Sequence, residues 1–187
     1  MRSEVWGLRS ERSKVRGQRS KRAGRLMTMT LGALLLAAPL SAQDEVGIKR
    51  GSAAPGAVLE KLDGTSVDLK NYIGKGPVLI EFWATWCPNC KALEPAMHAA
   101  AKKYAGKIKL VGVAVSVNQS VERVKAYAEK HELPLEVLWD RKGYASDAYE
   151  VPATSYVVII DAKGTVVYTG VGGDQDLDSA IKKALGT

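Results

Sequence analysis

Two cysteines separated by two residues are the groups in this sequence best suited to chemistry. Cys87 and Cys90 are the only cysteines among 187 residues, so the one disulfide that the chain can form within itself joins them. Cysteines at this spacing serve either thiol–disulfide exchange or half of a zinc site. A zinc site needs about four ligands, and the two histidines, His98 and His131, lack the spacing of a ligand pair. The sequence therefore favours a redox-active pair with no metal or other cofactor.

The elements on either side of the pair predict which sulfur reacts first. Residues 78–83 form a largely apolar run typical of a strand buried on both faces, and residues 91–104 carry apolar side chains at helical spacing. Cys87 then lies at a helix N-terminus, where unpaired N–H groups and the helix dipole favour the thiolate. We expect Cys87 to be the nucleophile and Cys90 to resolve the mixed disulfide.

Glu81 is a charged residue inside the apolar strand, six residues before Cys87. Burial would raise the pKa of its carboxyl group and allow it to act as a base for Cys90. A solvated position at a sheet edge is the alternative. Glu94, on the helix, is predicted to be a surface residue, and His131 an ordinary helix residue.

The remaining pattern predicts an α/β domain. Asp63-Gly64 favours a tight turn between two short strands, which form a hairpin ahead of the buried strand. Strands and helices first alternate, and a second hairpin closes the sheet, so we expect a mixed central sheet flanked by helices on both sides. The elements predicted after the cysteine helix are strand 108–116, helix 120–131, strand 135–139, a short helix at 143–149, strands 156–160 and 166–171, and helix 176–185.

Positive charge is concentrated at the start of the chain. Residues 1–25 hold nine Lys or Arg and two Glu, which leaves 18 basic and 18 acidic residues of the 27 and 20 in the whole chain. The body is therefore neutral, and we expect no nucleic-acid partner. Residues 26–40 are apolar and uncharged and are followed by the small residues Ser41 and Ala42, as in a secretory signal peptide.

These observations divide the chain into three parts. We predict a basic leader with a signal peptide at residues 1–42, a linker at 43–50 and one domain at 51–187. An uncleaved leader that anchors the domain is the alternative to cleavage, and would be the only contact with a membrane. In both cases the domain is expected in the periplasm or another extracytoplasmic compartment.

The cysteine segment resembles a known family. Residues 82–91, Phe-Trp-Ala-Thr-Trp-Cys-Pro-Asn-Cys-Lys, followed by Pro95, look like the active-site segment of the thioredoxin superfamily. Residues 59–64, 149–151 and 159–161 are similar to the exported TlpA/ResA-like branch. The resemblance implies a thioredoxin-like fold with an N-terminal β-hairpin extension. It also implies disulfide exchange with protein thiols and disulfides, electrons from a membrane thiol carrier, and a role in cytochrome c maturation.

The resemblance also implies roles for residues around the cysteines. Pro88 and Asn89 would tune the redox balance, and Trp86 would form a rim beside the pair. The family's cis-proline loop, whose backbone binds an incoming peptide, falls on Thr154 and Ser155. Because a cis bond before a residue other than proline costs about 2.5–4 kcal/mol, the Thr154–Ser155 bond is expected to be trans.

Two other functions remain open. A peroxiredoxin-like peroxidase would need Thr-x-x-Cys and a distant resolving cysteine, whereas Thr85 is only two residues before Cys87. A copper-carrying thioredoxin-like protein would favour Cys-x-x-x-Cys with a distal histidine. Ser155, in place of the proline that blocks metal access, keeps the copper alternative open.

Overall fold

The computed structural model describes residues 46–187. The predictions for the leader, residues 1–42, lie outside this range. No helix within the described range is both long and apolar enough to cross a membrane.

One mixed sheet of seven strands organises the described part of the chain, in the order β2-β1-β5-β4-β3-β6-β7. Strands β3, β4 and β5 run parallel to one another, and every other pairing is antiparallel. This architecture confirms the predicted α/β fold class. The strands are β1 (Val58–Lys61), β2 (Ser66–Asp68), β3 (Val78–Trp83), β4 (Lys109–Val115), β5 (Glu136–Asp140), β6 (Tyr156–Ile160) and β7 (Val166–Val171), and the helices are α1 (Pro88–Lys103), α2 (Val121–Lys130), α3 (Tyr144–Ala148) and α4 (Leu177–Leu185).

Strand β3 is an interior strand of the sheet, between β4 and β6, and all six of its residues are buried. Leu79 belongs to a core cluster formed with α1 and α4, whereas Phe82 packs on the rings of Tyr149 and Tyr156. Because side chains alternate along a strand, Glu81 points to the same face as Leu79. The carboxyl group of Glu81 is therefore on the face of the sheet that α1 and α4 cover.

The N-terminal part of the domain attaches at two places. The β1–β2 hairpin extends the sheet by pairing β1 with β5. Upstream of it, Ile48 is buried, and its N–H donates to the carbonyl of Tyr149 (3.2 Å) and to the hydroxyl of Tyr156 (3.0 Å). The chain is thus part of the fold from Ile48 onward, within the segment 43–50 that was predicted to be a linker.

Candidate active site

The two cysteines form the first turn of α1 and are joined by a disulfide. The helix begins at Pro88, three residues earlier than residue 91 predicted from periodicity. Cys87 is the N-cap, and its Sγ accepts a hydrogen bond from the N–H of Cys90 at 3.1 Å. Pro88 suits the first helical position because it has no N–H to leave unpaired and its φ is already helical. This geometry places the Cys87 sulfur where helix N–H groups stabilise negative charge.

The two cysteines are buried, whereas Trp86 beside them is exposed. Cys87 is 2% exposed and Cys90 is 4% exposed, whereas 42% of Trp86 is open to solvent. The indole N–H of Trp86 donates to the carbonyl of Val117 at 2.8 Å, which fixes the ring beside the motif. Trp86 therefore occupies the rim position that the resemblance implies.

Glu81 is buried, with 5% exposure, in an interior strand rather than at a sheet edge. One oxygen of its carboxyl group accepts a hydrogen bond from the hydroxyl of Ser155 at 3.1 Å. Burial raises the pKa of Glu81 to about 7, the Ser155 hydrogen bond opposes this rise, and the negative charge of Glu94 adds to it. A carboxyl group with this pKa can accept and return a proton near neutral pH.

The expected trans bond between Thr154 and Ser155 is wrong, because the peptide bond is cis. Ser155 is fully buried just before β6 and is held on two sides. Its hydroxyl donates to Glu81, and its carbonyl accepts the N–H of Gly172 at 2.9 Å. Its place in the fold, rather than the presence of proline, thus determines the isomer.

Thr154 presents open main-chain groups next to this bond. Among the described residues, neither its N–H nor its carbonyl has a hydrogen-bond partner. The residue is half-buried and lies just before β6. Because β6 runs antiparallel to β3, the start of β6 is next to the end of β3, from which the chain continues to the cysteine motif. These groups are available to pair with the backbone of an extended peptide.

The prediction that Glu94 is a surface residue is wrong, because α2 covers it. Its side chain is 21% exposed and accepts hydrogen bonds from the hydroxyl of Tyr127 and from Nδ1 of His131, the latter at 3.1 Å. The rings of Tyr127 and His131 stack with their centroids 3.9 Å apart. His131 is therefore a contact residue of this cluster rather than an ordinary helix residue. The four-residue spacing of Tyr127 and His131 indicated a shared helix face but not its partner.

The loop after β7 lies against the first turn of α1, and sequence reasoning gave no sign of it. A Cβ added to Gly173 would come within 2.9 Å of the Asn89 carbonyl oxygen and 2.6 Å of the Ala92 side chain. Only a glycine allows this approach. The C-terminal part of the domain thus supports the cysteine motif directly.

No group of three or more His, Cys, Asp or Glu side chains between residues 46 and 187 is arranged to hold a metal ion. The polar groups at the carboxyl end of β3 and the adjacent start of β6 are the Glu81 carboxyl group, the Ser155 hydroxyl group and the open main chain of Thr154. This set suits proton transfer and peptide contact.

A Cys-x-x-Cys disulfide that caps the helix after a buried interior strand of a mixed sheet is typical of the thioredoxin-like class of thiol–disulfide oxidoreductases. Within that class, the sequence pattern of the AhpC/TSA family matches residues 50–169, and the chain belongs to this family.

Known proteins of the class are similar over most of the domain. Thioredoxin-like protein YneN of Bacillus subtilis is 39% identical over 129 residues, 68% of this chain and 75% of that protein. Thiol-disulfide oxidoreductase ResA of Geobacillus thermodenitrificans is 31% identical over 171 residues, 87% of this chain and 97% of that protein. Two crystal structures of thiol:disulfide interchange proteins from Chlorobium tepidum have TM-scores of 0.64 and 0.63 at 28% and 27% identity. Each match covers 74% of this chain and 99% of the other. The chain is a thiol–disulfide oxidoreductase with a thioredoxin-like fold.

Proposed function

We propose that this protein is an extracytoplasmic disulfide reductase that takes electrons from a membrane thiol carrier and passes them to protein disulfides, including those of apocytochrome c. The signal-peptide pattern of residues 1–42 supports the compartment, and the resemblance to the TlpA/ResA-like branch supports the role. The observation that carries the chemistry is the Cys87 sulfur at the N-terminus of α1, 3.1 Å from the Cys90 N–H.

The reaction proceeds through two exchanges. The Cys87 thiolate attacks one sulfur of the partner disulfide, so that a Cys87–partner bond forms and the other partner sulfur leaves as a thiolate. Glu81 removes the proton of Cys90, and the Cys90 thiolate then attacks Cys87. The mixed disulfide breaks, the partner leaves with both sulfurs reduced, and the internal disulfide re-forms. A dithiol of the membrane carrier reverses these steps and returns two electrons to the pair.

Residues of the rim hold the partner during the exchange. The open N–H and carbonyl of Thr154 pair with its main chain, and Trp86 and Pro88 supply apolar contact. Asn89, between the two cysteines in the sequence, tunes the balance between the oxidised and reduced forms of the pair. Ser155 keeps Glu81 oriented through the hydroxyl hydrogen bond.

Trapping the mixed disulfide tests the exchange. Full-length protein carrying Cys90→Ser should accumulate a covalent complex with a disulfide-bonded substrate protein, visible on a non-reducing gel and reversed by dithiothreitol. Cys87→Ser is the matched control and should trap nothing, because it removes the sulfur at the N-cap of α1, which is the attacking sulfur. Equal trapping by both variants, or by neither, would contradict the assignment.

A redox titration of the wild-type pair tests the direction of electron flow. A midpoint towards the thioredoxin value of about −270 mV is expected for a reductase, and a value near −120 mV would make the protein an oxidant.

The same preparation tests the two alternative functions, a peroxidase and a copper carrier. Rapid peroxide consumption would favour a peroxidase, and stoichiometric copper(I) binding by the reduced chain would favour a copper carrier.

A further inference from the structure

The loop between β4 and α2 contacts the chain just before the cysteine motif. The N–H of Thr85 donates to Oε1 of Gln119 at 2.9 Å, and the indole N–H of Trp86 donates to the carbonyl of Val117 at 2.8 Å. Asn118, between the two contact residues, has a φ of 55°, in the left-handed region where asparagine is enriched. The turn at Asn118 thus allows two neighbouring residues of one loop to reach the same stretch of chain.

The side-chain amide of Gln119 takes the place of a backbone peptide group between β3 and β4. The last pair of that ladder is Trp83 and Ala114, and β3 ends there. Gln119 accepts the N–H of Thr85 beyond the end of β3, and its Nε2 donates to the carbonyl of Val115 at the end of β4. A side-chain amide can accept and donate at the same time, as a peptide group does, whereas a carboxylate only accepts.

One short turn connects this contact to the sulfur. Thr85 is 5% exposed and lies inside the turn of residues 84–87. The N–H of Cys87 closes this turn by donating to the carbonyl of Ala84 at 3.1 Å, and Cys87 is also the N-cap of α1. The position of the sulfur therefore depends on the turn, and the turn is attached to the sheet through Gln119.

We propose that Gln119 is a positioning residue of the redox site, which holds the turn of residues 84–87 so that the Cys87 sulfur stays at the N-terminus of α1. The inference rests on the proposed function, because it takes Cys87 as the attacking sulfur. Helix N–H groups stabilise the thiolate only while the sulfur lies next to them. Gln119 thus favours the ionised nucleophile in the reduced protein, where no disulfide fixes the two cysteines.

Alkylation of Cys87 tests the inference in full-length protein that carries Cys90→Ser, in which Cys87 is the only thiol. Gln119→Met keeps most of the side-chain volume and removes both hydrogen bonds of the amide. The rate at which the Cys87 thiolate displaces iodide from iodoacetamide is measured against pH. The midpoint of this profile should rise by roughly half a unit, which slows alkylation below the midpoint about threefold. The rate at high pH, where the sulfur is fully ionised, should not change.

Ser120→Ala is the matched control, because it alters the next residue of the same loop. It removes the N-cap hydroxyl of α2, which accepts the N–H of Arg123, and leaves in place the groups that Gln119 contacts. A general loosening of α2 would act in both variants, whereas the proposed role predicts an unchanged midpoint in Ser120→Ala. Equal shifts in the two variants would overturn the inference, as would a midpoint in Gln119→Met that is unchanged or lower.

Amide hydrogen exchange reports on the same turn without any chemistry at sulfur. In the reduced wild type, the N–H groups of Thr85 and Cys87 should be protected, and Gln119→Met should remove the protection of both. Fast exchange of Thr85 in the wild type would overturn the inference even if Gln119→Met fails to fold. Failure of the proposed function would appear instead as an absence of trapping by Cys90→Ser, which leaves the exchange data and the alkylation profile to decide the role of Gln119.

Discussion

Glu81 and Ser155 form the polar contact at the centre of the site. The carboxyl group belongs to an interior strand of the sheet, and the Ser155 hydroxyl oxygen, 3.1 Å from a carboxyl oxygen, is its hydrogen-bond partner. A hydrogen bond to a carboxylate stabilises the charged form, so the serine limits how far burial raises the pKa of Glu81. Both residues are buried, so water does not replace the bond if it is lost.

Ser155→Ala should therefore raise the pKa of Glu81 further above about 7, by roughly half a unit to one unit. Carboxyl ¹³C signals recorded against pH measure the change. Ser120→Ala removes the same hydroxyl group at the N-cap of α2, away from Glu81, and should leave the midpoint where it is. A lower midpoint in Ser155→Ala would show that the hydroxyl does not stabilise the carboxylate.

The residues of the site differ in how well the local sequence predicts their position and environment. Cys87, Cys90 and Glu81 were identified because spacing and a charge in an apolar strand are local signals. Glu94 was misassigned because its cover comes from α2, more than 30 residues away along the chain. The prediction of a trans bond before Ser155 was also wrong. Ser155 is held by tertiary contacts with Glu81 and Gly172, which residue type does not predict.

At the scale of elements, the first turn of α1 is held by a loop from the other end of the domain. Gly173→Ala should destabilise the protein by about 1–3 kcal/mol, because the new methyl group overlaps backbone that cannot move freely. It should also change the reduction potential of the cysteine pair, since Asn89 lies between the two cysteines in the sequence. Urea unfolding and a redox titration measure the two effects.

Gly56→Ala is the matched control for Gly173→Ala. The three atoms nearest to its added Cβ all belong to the side chain of Lys70, which is exposed and can move away. We expect its stability and potential to stay near those of the wild type. An unchanged Gly173→Ala protein would mean that the loop and the helix separate without cost.

Asp140 plays a comparable part for α3. It is 1% exposed at the end of β5, and its carboxylate accepts the N–H groups of Ala145 and Ser146 and the Ser146 hydroxyl. Asp140→Ala leaves these donors unpaired and should cost about 2–3 kcal/mol in thermal or urea unfolding. Asp174→Ala, at an exposed loop position, should be nearly neutral. Similar losses in both variants would contradict the capping role.

The elements themselves were largely predictable because hydrophobic periodicity is a local property. Strands 156–160 and 166–171 have the predicted bounds, and the helix predicted at 120–131 is α2 with its two flanking residues. The start of α1 was missed because apolar periodicity begins only inside the helix. Capping by Cys87 and a proline at the first position extend it to include the motif.

For the whole molecule, a buried acid makes stability depend on pH. The pKa of Glu81 rises from 4.5 in the unfolded chain to about 7 in the fold, so the folded state binds the proton more tightly. Its contribution is fully present below pH 4.5 and is lost as the pH rises through about 7. The loss amounts to about 3 kcal/mol.

Urea unfolding of the oxidised protein at several pH values measures this dependence. The wild type should lose stability across that interval relative to Glu81→Gln, which has no proton to release. The difference between the two curves isolates Glu81 from the other carboxyl groups. Parallel curves from acid to neutral pH would show that Glu81 keeps its ordinary pKa.

The order of the strands in the sheet also determines when the site can assemble during synthesis and folding. Strand β3 pairs with β4 and also with β6, and the Glu81–Ser155 hydrogen bond joins residues 74 positions apart. During synthesis from the N-terminus, both cysteines emerge well before β6, which pairs with β3, and before the loop at Gly173, which lies against the first turn of α1. Non-local pairing of this kind is slow to form. The nascent chain therefore passes through an interval in which its thiols are open to premature oxidation or to wrong partners, and synthesis of the segment from β6 onward ends that interval.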